Sequence, residues 1–280
     1  MEAPPATSPG GGSARPASAA PMTAPVGVPG CSVATAAAPV LRTASTSMEP
    51  VPGTPFGVAV TADGRWSFVS LPGTGSVGGY RIGESALPSL ARQVYTGTQL
   101  LGEALTRDGG YLLAADDGGG AAVISVRRAE TDPAASVVSS VDAGCSPVRV
   151  ITSADGSVVW VTARESDRLL GFSAARLRTD PARSLITSTQ VGEAPVGLAL
   201  VDGGTRIVVA DSNRFSASGA TSGLAVVDVP AAGQGKPALL GYLRAGGFPR
   251  EMALEPGGRT LLVTNFGSQQ LEAVGVADLP

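Results

Sequence analysis

Histidine is absent from the 280 residues. No Ser–His–Asp or Cys–His nucleophile can therefore be assembled, and no imidazole can hold a metal. Cysteine occurs twice, at Cys31 and Cys145, which fits no zinc or CxxC spacing and leaves either one disulfide between them or two unrelated thiols. Lysine occurs once, at Lys236, and every other basic residue is arginine, a bias that together with abundant Ala and Gly points to a GC-rich bacterial genome. Aromatic residues make up 4% of the chain and the net charge is −3. A nucleic-acid groove needs clustered cations and stacked rings, so nucleic acid is not an expected partner. No apolar run reaches the roughly 18 residues that a membrane-spanning helix requires, and no transmembrane segment is expected.

What the chain does have is 38 glycines and 22 prolines set among short Val-, Ala- and Leu-rich runs. Short apolar runs closed by Gly and Pro read as many strands joined by tight turns, and none is long enough to favour a helix. Residues 1–38 are Pro, Ala, Ser and Gly with almost no charge or large apolar side chains. They cannot bury enough surface to offset their ordering entropy and are expected to form a flexible tail. The tail has no charged start followed by an apolar stretch, so it does not read as a signal peptide. A tail of this composition ahead of a β domain fits a mature secreted, periplasmic or cell-surface protein, with the cytoplasm as the alternative.

Residues 39–280 carry an internal repeat. Its best copy runs from Phe248 to Leu279, with apolar runs at Met252–Leu254, Thr260–Thr264 and Leu271–Val276 and turns at Pro256-Gly257-Gly258 and Asn265-Phe266-Gly267-Ser268. In each copy a turn residue follows an anchor by eight positions: Pro55 and Asp63, Leu100 and Asp108, Pro147 and Asp155, Pro195 and Gly203, Pro249 and Gly257. The turn residues lie 45, 47, 48 and 54 residues apart. Four strands, a to d, in a unit of this length form a propeller blade. The reading is an all-β propeller of four-stranded antiparallel blades, five in number, or six or seven if the chain is a fragment. The last copy stops after its c strand, and Val40–Val51 sits where a d strand belongs. That segment is expected to close the ring and remove two open edges.

Leu262-Val263-Thr264-Asn265, Trp160-Val161-Thr162-Ala163 and Val208-Val209-Ala210-Asp211 resemble the YVTN motif of bacterial YVTN-type β-propeller repeat proteins. The turns Thr61–Gly64 and Ser153–Gly156 are similar to the SPDG turn of that family. The resemblance covers Val51 to Pro280 and implies kinship with propeller lactonases of the 6-phosphogluconolactonase type. The family commonly has seven blades, a difference from the five copies counted here.

Blade topology puts the d–a and b–c loops on one face. The b–c loops vary and carry charge: Asp116-Asp117, Arg164 to Arg168, Asp211 to Ser222 with Asn213, Arg214 and Phe215, and Asn265 to Ser268. Variable polar loops on a rigid ring are a usual place for binding. Strand a is expected to line the central channel, where the second position after the anchor reads Gly57, Gly102, Arg149, Gly197 and Glu251, with Glu103 and Arg250 one place away. Arg149 and Glu251 would hold an anionic or hydroxylated ligand, orient a water, or neutralise each other as an ion pair.

The expected function is therefore a non-catalytic propeller, a monomer, binding a small molecule or protein through Arg149, Arg164, Asp211, Asn213, Arg214, Glu251 and Asn265. The alternative is a lactonase-like hydrolase in which Glu251 or Glu103 is the base and Arg149 or Arg250 stabilises the oxyanion. The resemblance also raises Ca²⁺, since gluconolactonase propellers bind it through Glu and Asn/Asp oxygens. Glu251, Asn213, Asp211 and Asn265 are the right types, but their spacing aligns with no such pattern, and no metal or cofactor is assigned.

Overall fold

The computed structural model describes residues 50–82, 89–215 and 223–280. These form five antiparallel sheets, each a meander in chain order. The first blade is β1 to β4 (Val58–Val60, Trp66–Leu71, Ser76–Arg81, Ser89–Tyr95) and the second is β5 to β8 (Leu100–Leu105, Tyr111–Asp116, Gly120–Ser125, Val137–Asp142). The third is β9 to β12 (Pro147–Thr152, Val158–Ala163, Arg168–Ser173, Leu185–Gln190). The fourth is β13 to β16 (Pro195–Val201, Arg206–Asp211, Gly223–Asp228, Leu239–Arg244), and the fifth is β17 to β19 (Pro249–Leu254, Thr260–Asn265, Gln270–Gly275). The fifth blade thus has three strands among the described residues. The segment expected to complete it, 40–51, lies outside them except for residues 50 and 51, as does the whole of the 1–38 tail. Cys145 is exposed, and the other cysteine, Cys31, falls outside the described residues, so the alternatives of a disulfide and two unrelated thiols both lie beyond them.

The a–b turns repeat one device. The Thr61 hydroxyl donates to Asp63 Oδ1 (2.6 Å) and accepts the amide of Trp66 (3.1 Å). Thr106 does the same with Asp108 (2.5 Å) and Tyr111 (3.1 Å), and Ser153 with Asp155 (2.6 Å) and Val158 (3.0 Å). Each turn is held by its own side chains, which is why the offset from the anchor is constant.

The short apolar runs favoured no helix, yet short helices follow strand c in three blades: α1 (Val126–Thr131), α2 (Arg176–Thr179) and α3 (Val229–Gly233), of which α1 and α3 open at valines that would otherwise extend the strand. Ser125 and Asp228 cap α1 and α3 by accepting the amides of Arg128 and Ala231, so the chain turns there instead of extending.

Apolar clusters fill each seam between consecutive blades. Phe68 and Leu112 meet between the first and second, Leu113 and Val161 between the second and third, Trp160 and Val209 between the third and fourth, and Val208 and Leu261 between the fourth and fifth. Among the described residues no such cluster joins the fifth blade to the first. Val58 and Leu271, on the two faces concerned, are each 68% exposed.

The a strands of neighbouring blades lie against one another, so they are innermost. Gly102 and Gly197 face the carbonyls of Val148 and Arg250 in the next blade so closely that a Cβ would collide with backbone. Gly57 is similarly placed, 3.0 Å from the Leu101 carbonyl for an added Cβ. The glycines at these expected channel positions are what lets the inner strands approach.

Candidate functional site

Arg149 on β9 and Glu251 on β17 belong to the third and fifth blades, with the fourth between them. A side-chain contact joining two blades that are not neighbours must cross the inner side of β13, on the channel side of the ring. The structure makes that contact: the Arg149 guanidinium donates to Glu251 Oε1. The amide of Arg149 is fixed by Thr162 Oγ1 (3.1 Å) and that of Glu251 by Thr264 Oγ1 (3.2 Å). The pair is not sealed, since the Arg149 side chain is 27% exposed and that of Glu251 55%. A carboxylate and a guanidinium held together at a solvent-reached channel supply a proton acceptor and an oxyanion partner at one point.

The other two channel candidates lie elsewhere. Glu103 on β5 turns into the seam between the first and second blades, where its Cγ is 3.1 Å from the position of a Cβ on Gly57. Both its carboxylate oxygens are out of solvent and lack a hydrogen bond of ordinary geometry. Burial pushes its pKa up to about 8, while the nearby amides of Ser70 and Ala59 pull the other way. A carboxyl closed off in this way does not meet a channel ligand. Arg250 leans on the Phe266 ring, 5.9 Å from its centroid.

The loop residues separate into several settings. Asp211, at the end of β14, is buried and packs against Gly192, where a Cβ would sit 2.5 Å from its Oδ2. Burial raises its pKa to about 8 against the pull of the Gly192 and Ala225 amides, and Asp167 adds to the rise. Asn265 ends β18 in the equivalent place and donates from Nδ2 to Glu272 Oε2 (2.7 Å). Asn213 takes a left-handed backbone (φ 49°), with its amide donating to the Glu193 carbonyl (3.1 Å). Arg164 pairs with Asp117 of the second blade (3.1 Å), and Arg214 lies between the rings of Phe215 and Phe248.

The set named for Ca²⁺ is therefore dispersed. Glu251 faces Arg149, Asp211 faces Gly192 and Asn265 faces Glu272. Among the described residues no group of three or more acidic or cysteine side chains is arranged to hold a metal. These donors do not fit a hard-cation site, which needs about six converging oxygens.

Two features escaped sequence reasoning. The hydroxyls of Ser70 and Thr162 link blades, and their shared place in strand b was visible in the repeat. Phe215 is the sequence neighbour of Arg214, but the approach of Phe248 to Arg214 and of Phe266 to Arg250 joins separate loops and left no periodic signal.

No protein-family model matches the chain, and no curated protein matches it. Solved structures do. The periplasmic gluconolactonase PpgL of Pseudomonas aeruginosa superposes with a TM-score of 0.62 at 22% identity, over 79% of this chain and 66% of that one. A candidate 6-phosphogluconolactonase of Bacteroides uniformis gives 0.60 at 16% identity, over 78% and 70% of the two chains. Another from Bacteroides fragilis gives 0.59 at 18% identity, over 78% and 69%. The chain spans about two thirds of the length of these proteins. The fold is thus that of the lactonase-type propellers. The same likenesses correct the expectation of a non-catalytic binding scaffold: these three solved proteins are named as a gluconolactonase and 6-phosphogluconolactonases, which favours the hydrolytic alternative. No helix among the described residues is long and apolar enough to cross a membrane.

Proposed function

We propose that the protein is a lactonase-like hydrolase that opens a cyclic ester at the Arg149–Glu251 pair. The observation that carries this reading is the contact itself, which spans two non-adjacent blades on the channel side of a lactonase-type fold. Ring opening needs a water deprotonated as it attacks and a cation where negative charge develops.

In this scheme Glu251 accepts a proton from water as its oxygen bonds to the lactone carbonyl carbon. The carbonyl oxygen becomes an oxyanion facing the Arg149 guanidinium. Collapse breaks the bond to the ring oxygen, and Glu251 returns the proton to the departing alkoxide. The product is the open hydroxy acid. No histidine is needed, in keeping with a chain that has none. The YVTN-like strands and the likeness to a periplasmic gluconolactonase support an exported, bacterial setting.

The test is hydrolysis of a panel of sugar and aliphatic lactones by the purified full chain, with and without Ca²⁺ or Mn²⁺, followed by proton release. The reading requires turnover above the spontaneous rate for at least one lactone, without dependence on added metal. Hydrolysis at the buffer rate for the whole panel contradicts it.

A further inference from the structure

On the loop face, apart from the Arg149–Glu251 pair, guanidinium groups and phenyl rings from three blades form a continuous run. Arg164 of the third blade lies 5.5 Å from the Phe215 ring centroid. Arg214 lies between two rings, 5.1 Å from Phe215 and 5.8 Å from Phe248 of the fifth blade. Phe248 meets Phe266 edge to face at 5.5 Å, and Arg250 continues the run 5.9 Å from Phe266. Phe248 sits just before the Pro249 anchor with φ at 54°, a backbone region that residues other than glycine seldom adopt, which fixes where its ring can point.

The run is only partly satisfied from within. Arg164 has Asp117 as its counter-ion. Arg214 and Arg250 form no ion pair among the described residues, although six ion pairs occur outside the run in them. Phe215 and Phe266 are 55% and 65% exposed in a chain that has few aromatic residues. Stacking on ring faces orients the guanidinium planes and strips part of their water, which strengthens their pull on an anion.

We infer that this run is a binding site for a flat, conjugated anion: an aromatic or heteroaromatic ring that carries carboxylate, sulfonate or phosphate groups. The ring would cover the exposed phenyl faces and its acidic groups would meet Arg214 and Arg250. An aliphatic anion satisfies only the cations, and a neutral aromatic only the rings. The two contributions together define the class. The site does not use Arg149 or Glu251, so it stands or falls separately from the hydrolytic reading.

The test is isothermal titration of the full chain with 1,5-naphthalenedisulfonate, with 1,5-dihydroxynaphthalene as the neutral ring and ethane-1,2-disulfonate as the aliphatic dianion. The disulfonate should bind at least tenfold more tightly than either comparator and weaken as salt is raised. Arg214→Gln and Phe266→Ala should each lower its affinity at least tenfold, about the effect of losing one stacking or one charge-assisted contact. Both changes lie in exposed loops, and an unchanged melting temperature keeps the comparison valid. Equal affinities for the three probes, absence of binding, or wild-type affinity in both folded variants would overturn the assignment.

Discussion

The Ser70 hydroxyl donates to the carbonyl of Leu101 at 2.6 Å, across the seam between the first and second blades. The same oxygen accepts the amide of Gly57 at 2.7 Å, so one side chain ties an inner strand to its own blade and to the next. Thr162 repeats the link, taking the Arg149 amide and reaching the Val196 carbonyl at 3.4 Å. In the fifth blade Thr264 turns back to the carbonyl of its own partner, Glu251, at 3.4 Å. Ser70→Ala should cost about 1–3 kcal/mol, because it leaves the partly buried amide of Gly57 and the Leu101 carbonyl without their partner. Ser70→Thr should cost less, since threonine fills this place in two other blades. Thermal melting of the two variants checks the order.

Glu103 should make the protein more stable in acid than in mild base. Its folded pKa, about 8, lies above the unfolded carboxylate value, so between roughly pH 4.5 and 8 the folded state holds a proton that the unfolded state has released. Stability from this group is fully present below the unfolded pKa and is lost as pH rises toward 8. Glu103→Gln keeps the neutral form at every pH. It should raise the melting temperature at pH 8 by several degrees, at about 2–4 °C per kcal/mol for a domain of this size, and change little at pH 4.5. Equal shifts at both pH values would show that the carboxyl is ionised in place.

Gly197 and Gly233 should respond oppositely to alanine. A Cβ on Gly197 runs into the Arg250 carbonyl, so Gly197→Ala must push the fourth and fifth inner strands apart, at a cost of about 1–3 kcal/mol. A Cβ on Gly233 meets nothing within 4 Å, and alanine suits the helix it ends, so Gly233→Ala should be neutral or mildly stabilising. Denaturant titration of both variants separates packing from conformational freedom.

The blades were legible in the sequence because their turns are local. Thr61, Asp63 and Trp66 lie within one turn, and the same spacing in Ser153, Asp155 and Val158 exposes the period directly. The Arg149–Glu251 contact was legible for a related reason: both residues hold the same position after an anchor proline, and a ring brings equivalent positions together. Glu103 was misplaced because neighbouring residues on a strand face opposite ways. One step from the channel position, its side chain points into the seam, where Val150 and Leu198 occupy equivalent places in other blades. The helices after strand c depend on caps at Ser125 and Asp228, which a search for alternating apolar residues passes over. The Arg214–Phe248 and Arg250–Phe266 contacts depend on how loops fold over the ring, which no repeat encodes.

The pair can also be tested for geometry apart from charge. Exchanging its members in Arg149→Glu with Glu251→Arg preserves an ion pair across the channel but puts the base and the cation on the wrong sides. The double variant should melt near the wild-type temperature and hydrolyse lactone no faster than either single change. Recovery of activity in the double variant would mean that the pair acts through its charge balance alone.

The most direct measurement is kcat for the best lactone in Glu251→Gln, taken beside the melting temperature. If Glu251 is the base, kcat should fall by about 10²- to 10⁴-fold while the melting temperature moves little, because the group is more than half exposed. A Glu251→Gln protein that opens the lactone at the wild-type rate would contradict the account.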